Sequence, residues 1–169
     1  MFTKRILSTL AMYAAVVIGL LAPMTPASAA LQYTATHRSN VESDLVTAIG
    51  STGYLLILTG SQPANVATVD SGTVLVAMPL SSTAGTVSAG VLTFNAITSA
   101  TQTATGTAGH FLVCTTSNTA NCVAVSSSTR VIQGSVGSSG ADLNFTAGVV
   151  WSSLATISIG SWSITASGQ

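Results

Sequence analysis

After residue 29 this 169-residue chain carries two cysteines, two histidines, two arginines and four carboxylates, and no other ionisable side chains except tyrosine. Cys114 and Cys122 are the only cysteines, eight residues apart, and they flank a polar loop at residues 117–121. An even pair in an exported chain reads as a disulfide, here a cross-strand bridge in a hairpin. Closing so short a loop contributes roughly 2–3 kcal/mol by loop entropy. Two buried free thiols and a metal site are the alternatives. His110 is near, but zinc needs four ligands, or three plus water, and the sequence offers no fourth residue.

The remaining groups suggest little catalysis. His37 and His110 stand in no His-x-x-His or His-Glu-x-x-His context. No Gly-x-Ser-x-Gly elbow, Gly-x-Gly fingerprint or P-loop is present, and Lys4 is the only lysine. Counting alone leaves room for a Ser–His–Asp set with Asp70 or Asp142 as third member, but nothing marks one serine above the others. His37, Arg38, Glu42 and Asp44 form either an acid–base cluster or the solvated face of a helix, and the second reading is preferred. Asp142 and Asn144 could share a strand face, yet calcium takes six to eight oxygens, so turn and strand-edge hydrogen bonding is the better reading. Asn144-Phe145-Thr146 fits a glycosylation acceptor, relevant only in a eukaryotic secretory pathway. The expectation is therefore no enzyme, no catalytic residue, no metal and no cofactor.

The elements that position these residues begin after a leader. Lys4 and Arg5 precede an apolar run over residues 6–22, then Pro23 and Pro26, then Ala27-Ser28-Ala29. This is the pattern of a signal peptide over residues 1–29, cut between Ala29 and Ala30. A run of seventeen residues, interrupted by Ser8 and Thr9, is at the short limit for a membrane span. The mature chain is expected to be exported, periplasmic or extracellular, with no stable span. Residues 30–169 then form a single domain.

A helix is expected at about residues 38–49, capped by Ser39 with Glu42 three residues on. Its stripe would be Val41, Leu45 and Ile49, and Gly50 and Gly53 would end it. Strands follow at residues 54–59, 73–80, 90–97, 111–116, 122–126, 130–136, 141–146 and 149–151. Pro79 marks a sheet edge or a strand end. The Thr/Ala/Gly run at residues 99–109 alternates and reads as an exposed strand. A long last strand, 155–166, would bury Ile157, Ile159, Trp162 and Ile164, with a bulge near Gly160. Short strands with frequent turn signals describe a mainly β fold, an antiparallel β-sandwich of jelly-roll-like kind with one short N-terminal helix.

Charged residues are 5% of the chain and hydrophobic residues 47%. Without the leader, Arg38 and Arg130 face Glu42, Asp44, Asp70 and Asp142, a balance of −2. That is too few cations for nucleic acid, which is bound by releasing counterions from phosphates. So little charge also does little to keep copies apart, and self-association or entry into a larger assembly is expected.

Several segments resemble a family of uncharacterised β-rich proteins of tailed bacteriophages and prophages. They include the helix at residues 39–49, Thr59-Gly60-Ser61-Gln62-Pro63-Ala64-Asn65, Gly72-Thr73-Val74-Leu75-Val76-Ala77, Gln133-Gly134-Ser135-Val136-Gly137-Ser138-Ser139-Gly140-Ala141-Asp142-Leu143-Asn144, and Trp162-Ser163-Ile164-Thr165. The resemblance covers most of the chain after residue 38, and it implies a virion structural component of decoration, tail or fibre type. The chain departs from that family in its leader and in its longer Cys114–Cys122 loop. Both departures suit an exported protein, so a secreted or cell-surface binding module of adhesin type is the second expectation.

Overall fold

The computed structural model describes residues 32–124, 129–152 and 154–166. The expected leader and its expected cleavage point between Ala29 and Ala30 lie outside the described residues. The first element is helix α1, Ala35–Ile49, followed by a 3-10 turn at Gly50–Thr52. Thr34 is the cap, its hydroxyl accepting from the His37 amide at 3.2 Å. The expected cap, Ser39, lies a full turn inside the helix, where its hydroxyl accepts from the Gly90 amide at 2.9 Å. The buried stripe is also rotated from the expected one. Glu42 and Ile49 are buried, Leu45 and Val46 are half-buried, and Val41 is exposed. Residues 42, 45, 46 and 49 have the i, i+3, i+4, i+7 spacing of one helix face. The helix thus turns a carboxylate toward the protein, a choice its hydrophobic pattern does not announce.

Eleven strands follow among the described residues: β1 Tyr54–Thr59, β2 Val74–Pro79, β3 Gly85–Ser88, β4 Val91–Phe94, β5 Ala100–Thr101, β6 Gly106–Cys114, β7 Arg130–Gly137, β8 Leu143–Asn144, β9 Val150–Trp151, β10 Thr156–Ile157 and β11 Ser163–Thr165. The main sheet runs β2-β1-β6-β7-β8, and β9 pairs the N-terminal end of β6. A second sheet runs β11-β4-β3, and β10 pairs β5. Every ladder is antiparallel except β7 with β8. The chain is mainly β, sandwich-like, with one N-terminal helix packed on β3 and β4. Among the described residues no helix is long and apolar enough to cross a membrane.

The larger core lies between the two sheets. Leu55 and Ile57 of β1, Val76 and Met78 of β2, and Phe111 and Val113 of β6 meet Leu92 and Phe94 of β4 there. Trp162 joins the layers. It stacks on Phe94 at 4.2 Å between ring centroids and meets Phe111 edge-on at 4.9 Å, while its indole N–H donates to the Asp142 carbonyl. Such aromatic contacts add to the stabilisation from buried area alone.

Several strand expectations are met and others are corrected. Pro79 ends β2, and β2 is the edge of its sheet, so a proline without an amide hydrogen leaves no ladder bond unmade. The Thr/Ala/Gly run splits into β5 and the start of β6 instead of forming one strand. The long last strand is also broken. Its alternation slips at Gly160 because β10 pairs β5 in one sheet and β11 pairs β4 in another. Trp162 is buried as expected, while Ile157, Ile159 and Ile164 pack half-buried against the core. The expected strand at residues 122–126 is a helix in its described part, α2 at Thr119–Ala124, so the cysteine loop is no hairpin.

Because Trp162 holds both layers, Trp162→Ala is expected to lower unfolding free energy by about 3–5 kcal/mol, the usual cost of removing a buried indole. Urea denaturation followed by circular dichroism measures it. A loss below about 1 kcal/mol would show that the layers do not depend on this contact.

Candidate functional site

The candidate site lies on the other face of the main sheet. β1 is apolar at nearly every position because both of its faces are buried. Leu56 and Leu58 point away from the main core and meet Leu112, Cys114 and Cys122 in a second cluster. The register of β1, β6 and β7 sets this face in rows. Leu58, His110 and Ser135 align, as do Leu56, Leu112 and Gln133, and Tyr54, Cys114 and Arg130. The face is therefore apolar in the centre and polar toward β7. The loop at residues 60–73 and helix α2 cover it.

Four fasteners hold that cover. The first is covalent: Cys114 at the end of β6 is bonded to Cys122 in α2, with a Cα–Cα separation of 6.0 Å. The cysteines thus pair as expected, but the bridge ties a strand to a helix. Asn118 caps α2, its side-chain oxygen accepting from the Asn121 amide at 3.1 Å. That cap, three residues before Asn121, was the available sequence signal for a helix.

Arg130 is the second. A helix leaves its last four carbonyls without partners. Arg130 donates from Nε and Nη2 to the Cys122 carbonyl and from Nη2 to that of Val123. Its Nη1 donates to the carbonyls of Val66 and Thr68 in the covering loop, at 3.1 and 2.8 Å. Five hydrogen bonds match the five N–H groups of a guanidinium. Arg130 is 2% exposed, and burial pushes its guanidinium below its ordinary range while the Asp70 carboxylate pulls it back up. The Asp70 amide also donates to the Val123 carbonyl, and the Thr129 hydroxyl takes that of Asn121.

The third fastener is His110. Its Nε2 lies 2.6 Å from Asp70 Oδ2, and its Nδ1 lies 3.1 Å from the Gly60 carbonyl. The carbonyl only accepts, so Nδ1 carries a proton, and one further proton lies between Nε2 and the carboxyl. Asp70 Oδ1 accepts from the Gly72 amide at 2.7 Å, turning the loop back toward β2. Gly60 has φ +82°, and a side chain on Gly109 would strike the Gly60 backbone, so glycine is needed at both positions for this approach. Gln133 is the fourth fastener, its Nε2 donating to the Pro63 carbonyl at 2.9 Å.

The sequence put His110 near the cysteines and offered Asp70 as a possible third member of a Ser–His–Asp set; the fold joins the two. A general base needs a ring nitrogen free to take a proton from a nucleophile. Both nitrogens of His110 are engaged and the ring is fully buried, so this pair lacks the serine contact of a catalytic triad. The described residues hold no group of three or more His, Cys, Asp or Glu side chains placed to bind a metal.

The other candidates stay apart. Asp142 accepts from the Ser135 amide at 2.8 Å and hydroxyl at 2.7 Å, and the hydroxyl in turn accepts from the Asp142 amide. Asn144 bonds Ala141 with both ends of its amide. These oxygens are used within the turn. The hydrogen bonds from Ser135 hold the Asp142 carboxyl below its ordinary 3.8. His37 stacks on Tyr33 at the start of α1, and Asp44 is exposed. Glu42, read from sequence as solvated, is buried, because α1 presents that face to β3 and β4. Arg130 and Gln133 were not foreseen as partners of loop carbonyls.

Fold and site together define a small sandwich-like β domain whose second face is sealed by a disulfide and buried polar clasps. No family model matches the chain, and no curated protein or solved structure matches it.

His110→Ala is expected to cost about 3–5 kcal/mol, because it leaves the Asp70 carboxylate buried without its partner. Amide exchange at residues 60–73 should accelerate more than exchange in β1, as read by mass spectrometry. Equal acceleration everywhere would mean that the pair does not hold the loop. For Asp142 the sign follows from its lowered value. Its contribution is complete at neutral pH and is lost as pH falls through that value. Melting of the parent chain should therefore weaken below about pH 4, and Asp142→Asn should flatten that acid limb.

Proposed function

We propose that this chain is an exported, non-enzymatic structural protein of phage or prophage origin, a virion component of decoration, tail or fibre type. It works by assembling with copies of itself or into a larger particle. The observation that carries the reading is the use of its polar side chains. Asp70, His110, Arg130, Gln133 and Asp142 bond to the protein's own backbone or to each other, which stiffens the domain and leaves them little capacity for substrate chemistry. The surface is then mostly serine, threonine and small residues, suited to close packing of repeated copies.

The sheets end in β8 and β11, which border a groove of about 480 Å³ lined by Asn144, Phe145 and Thr146 on one side and Ser158, Ser161 and Ser163 on the other. Strand edges of this kind accept further strands. The sequence blocks that resemble proteins of tailed bacteriophages support the virion assignment. The disulfide supports export, since such bonds persist in oxidising compartments. It also favours a second reading, a secreted or cell-surface binding module of adhesin type, built on the same stiffened domain.

Mass spectrometry of density-gradient-purified particles, set against cell-free supernatant and periplasm, tests the assignment. Banding with particles is the expected result. Recovery only as free chains beginning at Ala30, with Cys114 linked to Cys122, would overturn the virion assignment and leave the exported module.

A further inference from the structure

Among the described residues, the Glu42 carboxyl lacks the partner its burial requires. Glu42 is 4% exposed, and among the described residues it makes no hydrogen bond or ion pair. Its Oε2 is fully enclosed, as is the equally unpartnered Nε of Arg38, one helical turn earlier. Residues at i and i+4 are neighbours on a helix, about 5–6 Å apart at Cβ. These two still do not pair, since no salt bridge joins them. The Arg38 stem instead lies against Gly90, where a Cβ would come within 2.7 Å of Arg38 Cβ. A buried polar group left without a partner costs on the order of 1–3 kcal/mol, and more if charged.

Both residues line a cavity of about 280 Å³, together with Tyr33, His37, Val41 and Ala166. The cavity falls just below the range for sites that take drug-sized molecules, about 300–1,000 Å³, which suits a smaller occupant. Tyr33 and His37 stack at 4.9 Å between centroids, and Val41, 49% exposed, adds an apolar wall.

The chemistry narrows the occupant. A metal ion would find one carboxylate where it needs several oxygens. An anion would answer Arg38 and be repelled by Glu42. A plain cation would answer Glu42 and be repelled by Arg38. We propose that the cavity binds an α-amino-acid unit, its ammonium on Glu42, its carboxylate or carbonyl oxygen on Arg38, and its apolar or aromatic side chain against Tyr33, His37 and Val41. Burial already pushes the Glu42 carboxyl above its ordinary 4.5, and an ammonium would relieve that. The proposal is independent of whether the chain enters a particle.

Calorimetric titration of the purified chain with L-phenylalanine tests it, with N-acetyl-L-phenylalanine and L-phenylalanine amide as controls. Saturable one-to-one binding of L-phenylalanine is expected. Loss of the ammonium in the acetyl compound, Glu42→Gln, or Arg38→Gln should each weaken it at least tenfold. The amide keeps a carbonyl oxygen and should lose less. The dipeptide phenylalanyl-alanine separates the sources: tighter binding than the free amino acid assigns the site to a chain terminus, weaker binding to the free compound. Should a polar variant fail to fold, Val41→Trp, which fills the cavity from its exposed rim, must abolish binding. No saturable binding of L-phenylalanine, equal binding of the acetyl compound, or binding that survives Val41→Trp overturns the proposal.

Discussion

Strands β1 and β6 are buried on both faces, and only one of those faces has a sheet to cover it. The other is closed by residues 60–73 and the six-residue helix α2. A loop and a short helix bring backbone carbonyls that no ladder satisfies, and a buried carbonyl without a partner costs as much as a lost hydrogen bond. The rest of the structure is arranged around that requirement. Arg130 supplies five donors to four carbonyls on two different segments. His110 adds a donor for Gly60 and holds the carboxylate that turns the loop. The disulfide then fixes α2 close enough for Arg130 to reach its C-terminal carbonyls.

The two faces of one sheet are thus held by different physics. Between the sheets, Trp162, Phe94 and Phe111 interlock in an apolar core that is tolerant of small adjustments but sensitive to lost volume. Under the loop, specificity comes from hydrogen-bond direction and charge. A buried ion pair is weak evidence of net stability, yet breaking one partner is costly. The clasps therefore specify where the loop lies more than they add to folding free energy. For a protein proposed to pack against copies of itself, a fixed loop presents the same surface each time.

At α1 the balance differs. Glu42 Oε2 and Arg38 Nε are the neighbouring polar atoms that the fold encloses without answering. Elsewhere the polar groups of the interior are matched almost completely, Gln133 Oε1 being the other unmatched atom among the described residues. An unanswered pair beside a cavity is where an occupant of complementary charge would be held.

The sequence alone determined the β class, the N-terminal helix and the buried strand Tyr54–Thr59, and it marked Pro79 as a sheet edge or strand end and the two cysteines as candidates to pair. These are local matters of periodicity, of proline chemistry and of cysteine number. Tertiary structure decided the rest. Which face of α1 is buried depended on what β3 and β4 present to it, and Glu42 went inward against its hydrophobic pattern. The break between β10 and β11 came from two sheets claiming neighbouring residues. His110, Asp70 and Arg130 became one group only when β6, the loop and β7 aligned, because contacts spanning 40 to 64 residues leave no periodic trace in the chain.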